Sequence, residues 1–130
     1  LSLADIFATC AEIVDYSLPP DVAEDSFSFF PILEGKTPEE PIRDAVIHHA
    51  LDGMFAVRMG PWKMILGTGS GGFSEPQRYE PQEGEPAGQL YNIADDLRET
   101  RNLWMERPDI VEQFRAVLTR YQKEGRSRPT

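Results

Sequence analysis

The only two histidines of the chain, His48 and His49, are adjacent, and an imidazole can bind an anion or a sugar hydroxyl. The surrounding pattern predicts a β-strand, in which neighbouring side chains point to opposite faces of the sheet. Only one of them can face a given site unless a bulge intervenes, and the spacing is poor for joint metal chelation. Two interpretations stay open. Either one ring packs or hydrogen-bonds inside while the other meets solvent, or one ring reaches a ligand at the sheet edge.

A glycine-rich segment, GTGSGG at residues 67–72, resembles a phosphate-binding loop only superficially. Such a loop needs a Lys-Ser/Thr ending at a helix N-terminus, whereas Phe73, Ser74, Glu75 and Pro76 follow here without a helical pattern. We therefore predict a flexible loop, which extends to about residue 88 and is long for a compact domain.

Three carboxylates, Asp95, Asp96 and Glu99, could form a turn or helix cap, which we favour, or a cation site. The single cysteine, Cys10, lies on the apolar stripe of a predicted helix without a basic neighbour that would lower its pKa, so we expect it in the core. No nucleophile–base arrangement stands out. We therefore assign no catalytic residue and no metal ligand to this chain.

Composition narrows the function classes. The 130 residues fit one domain, residues 1–130, and the net charge of −9 argues against nucleic-acid binding because such a surface repels phosphates. No apolar run reaches the roughly 18 residues that a membrane span requires. No signal-peptide pattern is visible, so the sequence itself leaves the location of the protein undetermined.

Periodicity predicts the elements that must position these residues. An amphipathic helix opens the chain, with Ser2 and Asp5 in a capping-box arrangement, and residues 25–33 predict one or two helical turns ending near Gly35. The apolar stripe of the first helix comprises Leu3, Ile6, Phe7, Cys10, Ile13 and Val14. Strands follow at residues 45–51, 55–59, 62–66 and 89–93, the first two joined by a two-residue turn at Asp52-Gly53. A helix over residues 108–123, closed by Gly125, ends the pattern. Its apolar face comprises Ile110, Val111, Phe114, Val117, Leu118 and Tyr121.

These elements predict an α+β fold, a small four-stranded, mainly antiparallel sheet with the N-terminal helix and the long C-terminal helix packed on it. An antiparallel sheet of this size usually buries one face only. Both helices nevertheless have wide apolar stripes, and the strands are apolar on more than one side. We favour a surface made for another domain, although helices on both faces would produce the same pattern.

Four segments, taken in order, resemble the C-terminal portion of sulfatases of the arylsulfatase type, in the alkaline phosphatase superfamily. They are LADIFATCAEI, DSFSFFPILEGK, FAVRMGPWKMI and LYNIADDLRETRNL. The family patterns are matched by Asp5, Thr9, Asp25, Ser28, Pro31, Leu33, Gly35, Leu90, Tyr91, Asp96, Glu99, Asn102 and Leu103. Ala8, Ser26 and Leu97 stand where the family usually has proline, glycine and proline. Each motif is weak alone, but four in order are fairly specific.

The resemblance implies a fragment of a sulfate ester hydrolase, with the catalytic N-terminal domain absent from residues 1–130. The formylglycine nucleophile and Ca²⁺ of the family are expected in that domain, so the chain alone should be inactive and hold no cofactor. Its partner would be that domain, and a sulfated small molecule or glycan would be the substrate of the parent. His48, His49 and Arg58 are then the candidate substrate-binding residues.

Family habit also implies a periplasmic or secreted protein, and the fragment could self-associate. The alternative is a free-standing α+β module that binds a protein or a glycan without catalysis, through its sheet face or through the loop at residues 67–88.

Overall fold

The computed structural model describes residues 1–129, which form three helices and four strands. The elements are α1 (Asp5–Ile13), α2 (Phe30–Leu33), β1 (Val46–His49), β2 (Phe55–Met59), β3 (Trp62–Ile65), β4 (Gln89–Asn92) and α3 (Pro108–Glu124). The strands form one antiparallel sheet in the order β1-β2-β3-β4, and the α+β class is confirmed.

The chain divides into two compact units. The first comprises Leu1–Asp44 and the C-terminal residues from Arg120, and the second comprises Ala45–Thr119. The description of residues 1–130 as one domain stays a prediction.

The turn between β1 and β2 differs from the predicted two-residue turn. The amide of Gly53 donates to the carbonyl of Ala50 at 3.0 Å, and the amide of Met54 donates to the Asp52 carboxylate at 3.0 Å. Asp52 therefore stabilises the turn with its side chain, and of the two turn residues only Gly53 has a positive φ, at 83°. The predicted two-residue turn at Asp52-Gly53 is a turn of three residues, 51–53, because the Ala50 amide donates to the Met54 carbonyl at 2.9 Å. β1 ends at His49 rather than at residue 51.

The core of the second unit lies on one face of the sheet and one side of α3. Val57, Met64 and Leu90 stand side by side in the register and are fully buried. Within this unit, the predicted apolar face of α3 is confirmed by buried Ile110, Val111, Phe114 and Leu118. Each large apolar side chain contributes about 1.5–3 kcal/mol on burial, so this core holds the sheet and the helix in place.

In the first unit, α1 buries polar groups. The carboxylate of Asp5 forms an ion pair with Arg43 and accepts from the amides of Ser2 at 2.7 Å and Phe27 at 3.1 Å. The hydroxyl of Thr9 donates to the Asp5 carbonyl at 2.7 Å and accepts from the amide of Phe29 at 3.1 Å. This network fixes residues 27–29 against α1.

The predicted capping box is formed only in part. The amide of Ser2 donates to the Asp5 carboxylate, as the motif requires, but the Ser2 hydroxyl accepts from Ala4 at 3.3 Å rather than from Asp5. The N-cap of α1 is Ala4, which makes no side-chain cap. Asp5 instead serves the long-range network described above.

The apolar stripe of α1 faces outward. Leu3 is 86% exposed and Val14 71%, and Ile6, Phe7 and Ile13 are exposed as well. Cys10 is exposed on this side, so its expected place in the core is wrong. The physical reason is that Asp5, Ala8, Thr9 and Ala11 occupy the inward side, where the polar network holds them.

Candidate functional site

One face of the sheet gathers three basic side chains, His48, Arg58 and Lys63, here called the basic face. Arg58 stands directly opposite Lys63 on β3, and His48 stands opposite Ala56, two residues from Arg58 on β2. Directly paired residues, and residues two apart on a strand, point to the same face. The antiparallel register therefore brings the three groups together in a chain whose net charge is −9.

The surroundings of His48 favour the neutral form of its imidazole. Partial burial lowers the pKa of its imidazole most, and the charges of Lys63 and Arg58 lower it further. A neutral imidazole offers one N–H donor and one acceptor nitrogen, which suits a hydroxyl or an anion oxygen. The fixed positive charges come from Arg58, whose Nε donates to the Gly60 carbonyl at 3.0 Å, and from Lys63.

Lys63 is positioned by a carboxylate. Its Nζ lies 2.6 Å from Oε1 of Glu99, with both side chains partly buried. Glu99 has a φ of 56°, an uncommon backbone conformation for a residue with a side chain. Lys63 is not among the predicted site residues, although strand alternation and the pairing with Arg58 could have indicated it.

Tyr91 stands opposite Lys63 on β4 and completes this part of the face. Its hydroxyl donates to the Gln89 side chain at 2.9 Å. Burial raises the pKa of Tyr91 most, and the carboxylates of Glu99 and Asp96 raise it further. The phenol is therefore protonated and acts as a hydrogen-bonding group rather than as a base.

His49 lies on the opposite face of the sheet. Its ring contacts Phe55 edge to face at a centroid distance of 6.2 Å, and its Nδ1 lies 3.1 Å from the Ala50 carbonyl oxygen. Both histidines are exposed, so neither ring is enclosed by the fold. The structure thus separates the predicted site residues, placing His48 with Arg58 and His49 apart. Their contact with a substrate stays a prediction.

The three carboxylates Asp95, Asp96 and Glu99 form a turn, which is the alternative that we favour over a cation site. Asp96 accepts from the amides of Thr100 at 2.7 Å and Arg101 at 2.8 Å, and these bonds, the Arg101 bond first, lower the pKa of its carboxyl. Glu99 is engaged by Lys63, and Asp95 accepts from Asn92 at 2.7 Å. Across residues 1–129 no group of three or more metal-binding side chains is found. In the same residues, every helix is too short or too polar to span a bilayer.

Similarity to known proteins was sought in sequence and in structure. No protein-family model matches the chain. An N-acetylgalactosamine-6-O-sulfatase of Bacteroides thetaiotaomicron is 28% identical over 118 residues, which cover 90% of this chain and 22% of the relative.

Two solved structures share the fold. One is a sulfatase from work on glycosaminoglycan metabolism by Bacteroides thetaiotaomicron, with a TM-score of 0.71 and 26% identity over 92% of this chain and 24% of that chain. The other, solved in complex with its substrate D-glucosamine-2-N,6-O-disulfate, has a TM-score of 0.63 and 21% identity, covering 92% of this chain and 23% of that chain, and shows the fold alone.

The chain thus spans less than a quarter of the length of the proteins it matches. These matches confirm the predicted resemblance of this chain to the C-terminal subdomain of a sulfatase.

Proposed function

We propose that the chain is the C-terminal subdomain of a sulfate ester hydrolase that acts on a sulfated sugar, and that it supports the catalytic domain of that enzyme. The similar N-acetylgalactosamine-6-O-sulfatase, of which the chain spans 22%, supports this proposal. The remaining four-fifths of such a protein would contain the catalytic centre.

The observation that carries the proposal is the outward apolar side of α1. Large side chains at helical spacing, among them Leu3, Phe7 and Ile13, are exposed although each would gain about 1.5–3 kcal/mol on burial. Contiguous exposed apolar surface marks an interaction site. A catalytic domain packed on this side of α1 would bury it.

The basic face is the part of the chain that we assign to the substrate cleft. Arg58 supplies a permanent charge and a planar set of donors for a sulfate, and neutral His48 suits a sugar hydroxyl. His49, on the other face, is the alternative contact. In this proposal Arg58 binds the sulfate group and takes no part in cleaving the ester bond. The hydrolytic chemistry is therefore assigned to the proposed catalytic domain, with its formylglycine and Ca²⁺.

Release of sulfate from N-acetylgalactosamine 6-sulfate tests the proposal, with the chain and the proposed parent enzyme assayed side by side. We expect turnover by the parent and none by the chain alone. In the parent, Arg58→Met should lower kcat/KM by about tenfold, the loss of one charge-assisted contact. Arg98→Met removes an exposed arginine outside the basic face and should change nothing. Turnover by the isolated chain would overturn the proposal.

Sedimentation of the chain tests whether the outward side of α1 is a docking surface. We expect concentration-dependent self-association, because two copies can bury this side against each other. The double variant Phe7→Ser, Ile13→Ser should be monomeric and remain folded, because both positions are exposed. The control Leu97→Ser changes an exposed apolar residue outside α1. A wild-type chain that stays monomeric at high concentration would count against the docking role.

A further inference from the structure

The glycine-rich segment belongs to a closed loop, residues 68–79, here called the loop arm. The amides of Ser70 and Gly71 donate to the carbonyls of Pro76 at 3.0 Å and Gln77 at 2.8 Å. Closer to the tip, the Ser70 hydroxyl donates to the Ser74 carbonyl at 2.6 Å. The two sides of the loop arm are therefore bonded to each other up to a tip of three residues, 71–73.

Its glycines are explained by close backbone approach rather than by phosphate binding. A Cβ at Gly69 would lie 2.5 Å from the Gln77 carbonyl oxygen, and a Cβ at Gly71 would lie 2.7 Å from the Ala50 Cβ. Only glycine permits both the pairing inside the loop arm and its contact with the β1–β2 turn.

The loop arm is anchored where β1 ends. The Asp52 amide donates to the Gly71 carbonyl at 3.2 Å, and the Arg78 guanidinium lies 2.8 Å from the Asp52 carboxylate. His48 and His49 are the last two residues of β1, and Ala50, which abuts Gly71, follows them directly. The tip of the loop arm is thus fixed at the histidine-bearing end of the sheet.

The tip presents one aromatic ring. Phe73 is 90% exposed, the highest value among the large apolar side chains of residues 1–129. Its chain neighbours are glycines, serines, Glu75 and Pro76, so no other large apolar side chain lies within three residues of it in the sequence. A single ring in a polar setting, held on a closed loop, suits a ligand that is itself partly polar.

We propose that Phe73 is a sugar-binding residue, whose ring stacks on the C–H face of a pyranose ring of the sulfated glycan beside the histidine end of β1. The inference deepens the proposed function and rests on it. The negative face of an aromatic ring attracts the weakly positive C–H groups of a sugar, while the hydroxyls remain free for polar partners. A closed loop keeps the backbone of the tip in place before binding, so little backbone entropy is lost on contact.

The test uses the isotope-labelled chain and three probes, N-acetylgalactosamine 6-sulfate, unsulfated N-acetylgalactosamine and inorganic sulfate, followed by NMR. We expect both sugars to shift the amides of residues 70–74, and inorganic sulfate to leave them unchanged. Phe73→Ala should raise the Kd for both sugars by about tenfold, the expected value for one lost aromatic contact. Phe73→Trp should retain binding.

The matched control is Leu97→Ala, which removes a side chain that is 80% exposed outside the loop arm and should leave both Kd values unchanged. The inference is overturned if neither sugar shifts the loop amides, or if Phe73→Ala binds both sugars as the wild type does. Failure of this inference is distinguishable from failure of the proposed function. If Phe73→Ala binds both sugars as the wild type does, while Arg58→Met loses affinity for the sulfated sugar alone, the role of Phe73 is removed and the basic face stands.

Discussion

His48 and Arg58 are diagonal neighbours on β1 and β2 and share one face of the sheet, whereas His49 points to the other face. Lys63, opposite Arg58, adds a second fixed charge to the surroundings of His48. The two adjacent histidines therefore differ in their electrostatic setting, and stability at low pH should reveal this difference.

Partial burial and the two neighbouring cations lower the pKa of His48 in the folded chain. A lowered pKa means that the folded state favours the neutral imidazole. This contribution to stability is present above the usual histidine pKa of about 6.5 and is lost as the pH falls through the folded-state pKa. We expect urea midpoints to fall more in the wild type than in His48→Gln between about pH 7.5 and 5.

The carboxylates titrate equally in both proteins. The difference between the two curves of urea midpoint against pH is therefore the contribution of His48. His49→Gln removes the other imidazole and keeps the basic face, which makes it the matched control. Parallel curves for the wild type and His48→Gln would contradict the electrostatic description of the basic face.

Asp5 and Arg43 form the ion pair at the centre of the first unit, with side chains 1% and 10% exposed. Asp5→Ala leaves the guanidinium without its carboxylate and deprives the amides of Ser2 and Phe27 of their acceptor. Unfolding in urea should show a loss of about 3–5 kcal/mol, as for other broken buried pairs. Glu34→Ala breaks the exposed pair with Lys36 and should leave the midpoint unchanged. Equal effects of the two variants would refute the structural role of Asp5.

Asn102 ties β4 to the segment that follows it. Its side-chain oxygen accepts from the amides of Leu90 and Trp104, each at 3.0 Å, and its nitrogen donates to the Gly88 carbonyl at 2.9 Å. Asn102→Ala should lower the free energy of unfolding by about 1–3 kcal/mol because these partly buried groups lose their partners. Asn92→Ala, whose side-chain bonds are exposed, is the control and should have little effect. A loss no larger than that of the control would show that Asn102 is dispensable.

Gly71 and Gly84 both have a positive φ, 63° and 87°, but only Gly71 is crowded. Alanine at either position brings backbone strain of about 1 kcal/mol. Gly71→Ala adds a clash with Ala50, so it should lose about 1–3 kcal/mol more than Gly84→Ala in thermal unfolding. Equal losses would mean that the loop arm does not pack closely on the β1–β2 turn.

Local patterns were sufficient to predict most elements. The bounds of β2 and the inward side of α3 are confirmed because alternation and helical spacing are properties of neighbouring residues. The separation of His48 from His49 follows from the same alternation. The pairing of Lys63 with Glu99 depends on residues 36 positions apart, and no local pattern encodes it.

The orientation of α1 shows where sequence reasoning failed. Cys10, on the apolar stripe, is predicted to lie in the core, but Asp5 on the other side of the helix finds its partners 22 and 38 residues away at Phe27 and Arg43. These partners make the polar side the inward one. An apolar stripe shows that a helix packs against something, and it does not show whether the partner lies in the same chain.

Cys10 provides the most direct test of the central claim, which is that the outward side of α1 docks on a catalytic domain. It is the single cysteine of the chain, and it lies exposed on that side. Thiol labelling, read by mass spectrometry of the peptide that contains Cys10, is to be compared between the isolated chain and the proposed parent enzyme. We expect rapid labelling in the chain and at least tenfold slower labelling in the folded parent, whereas equal rates in both would contradict the docking of α1.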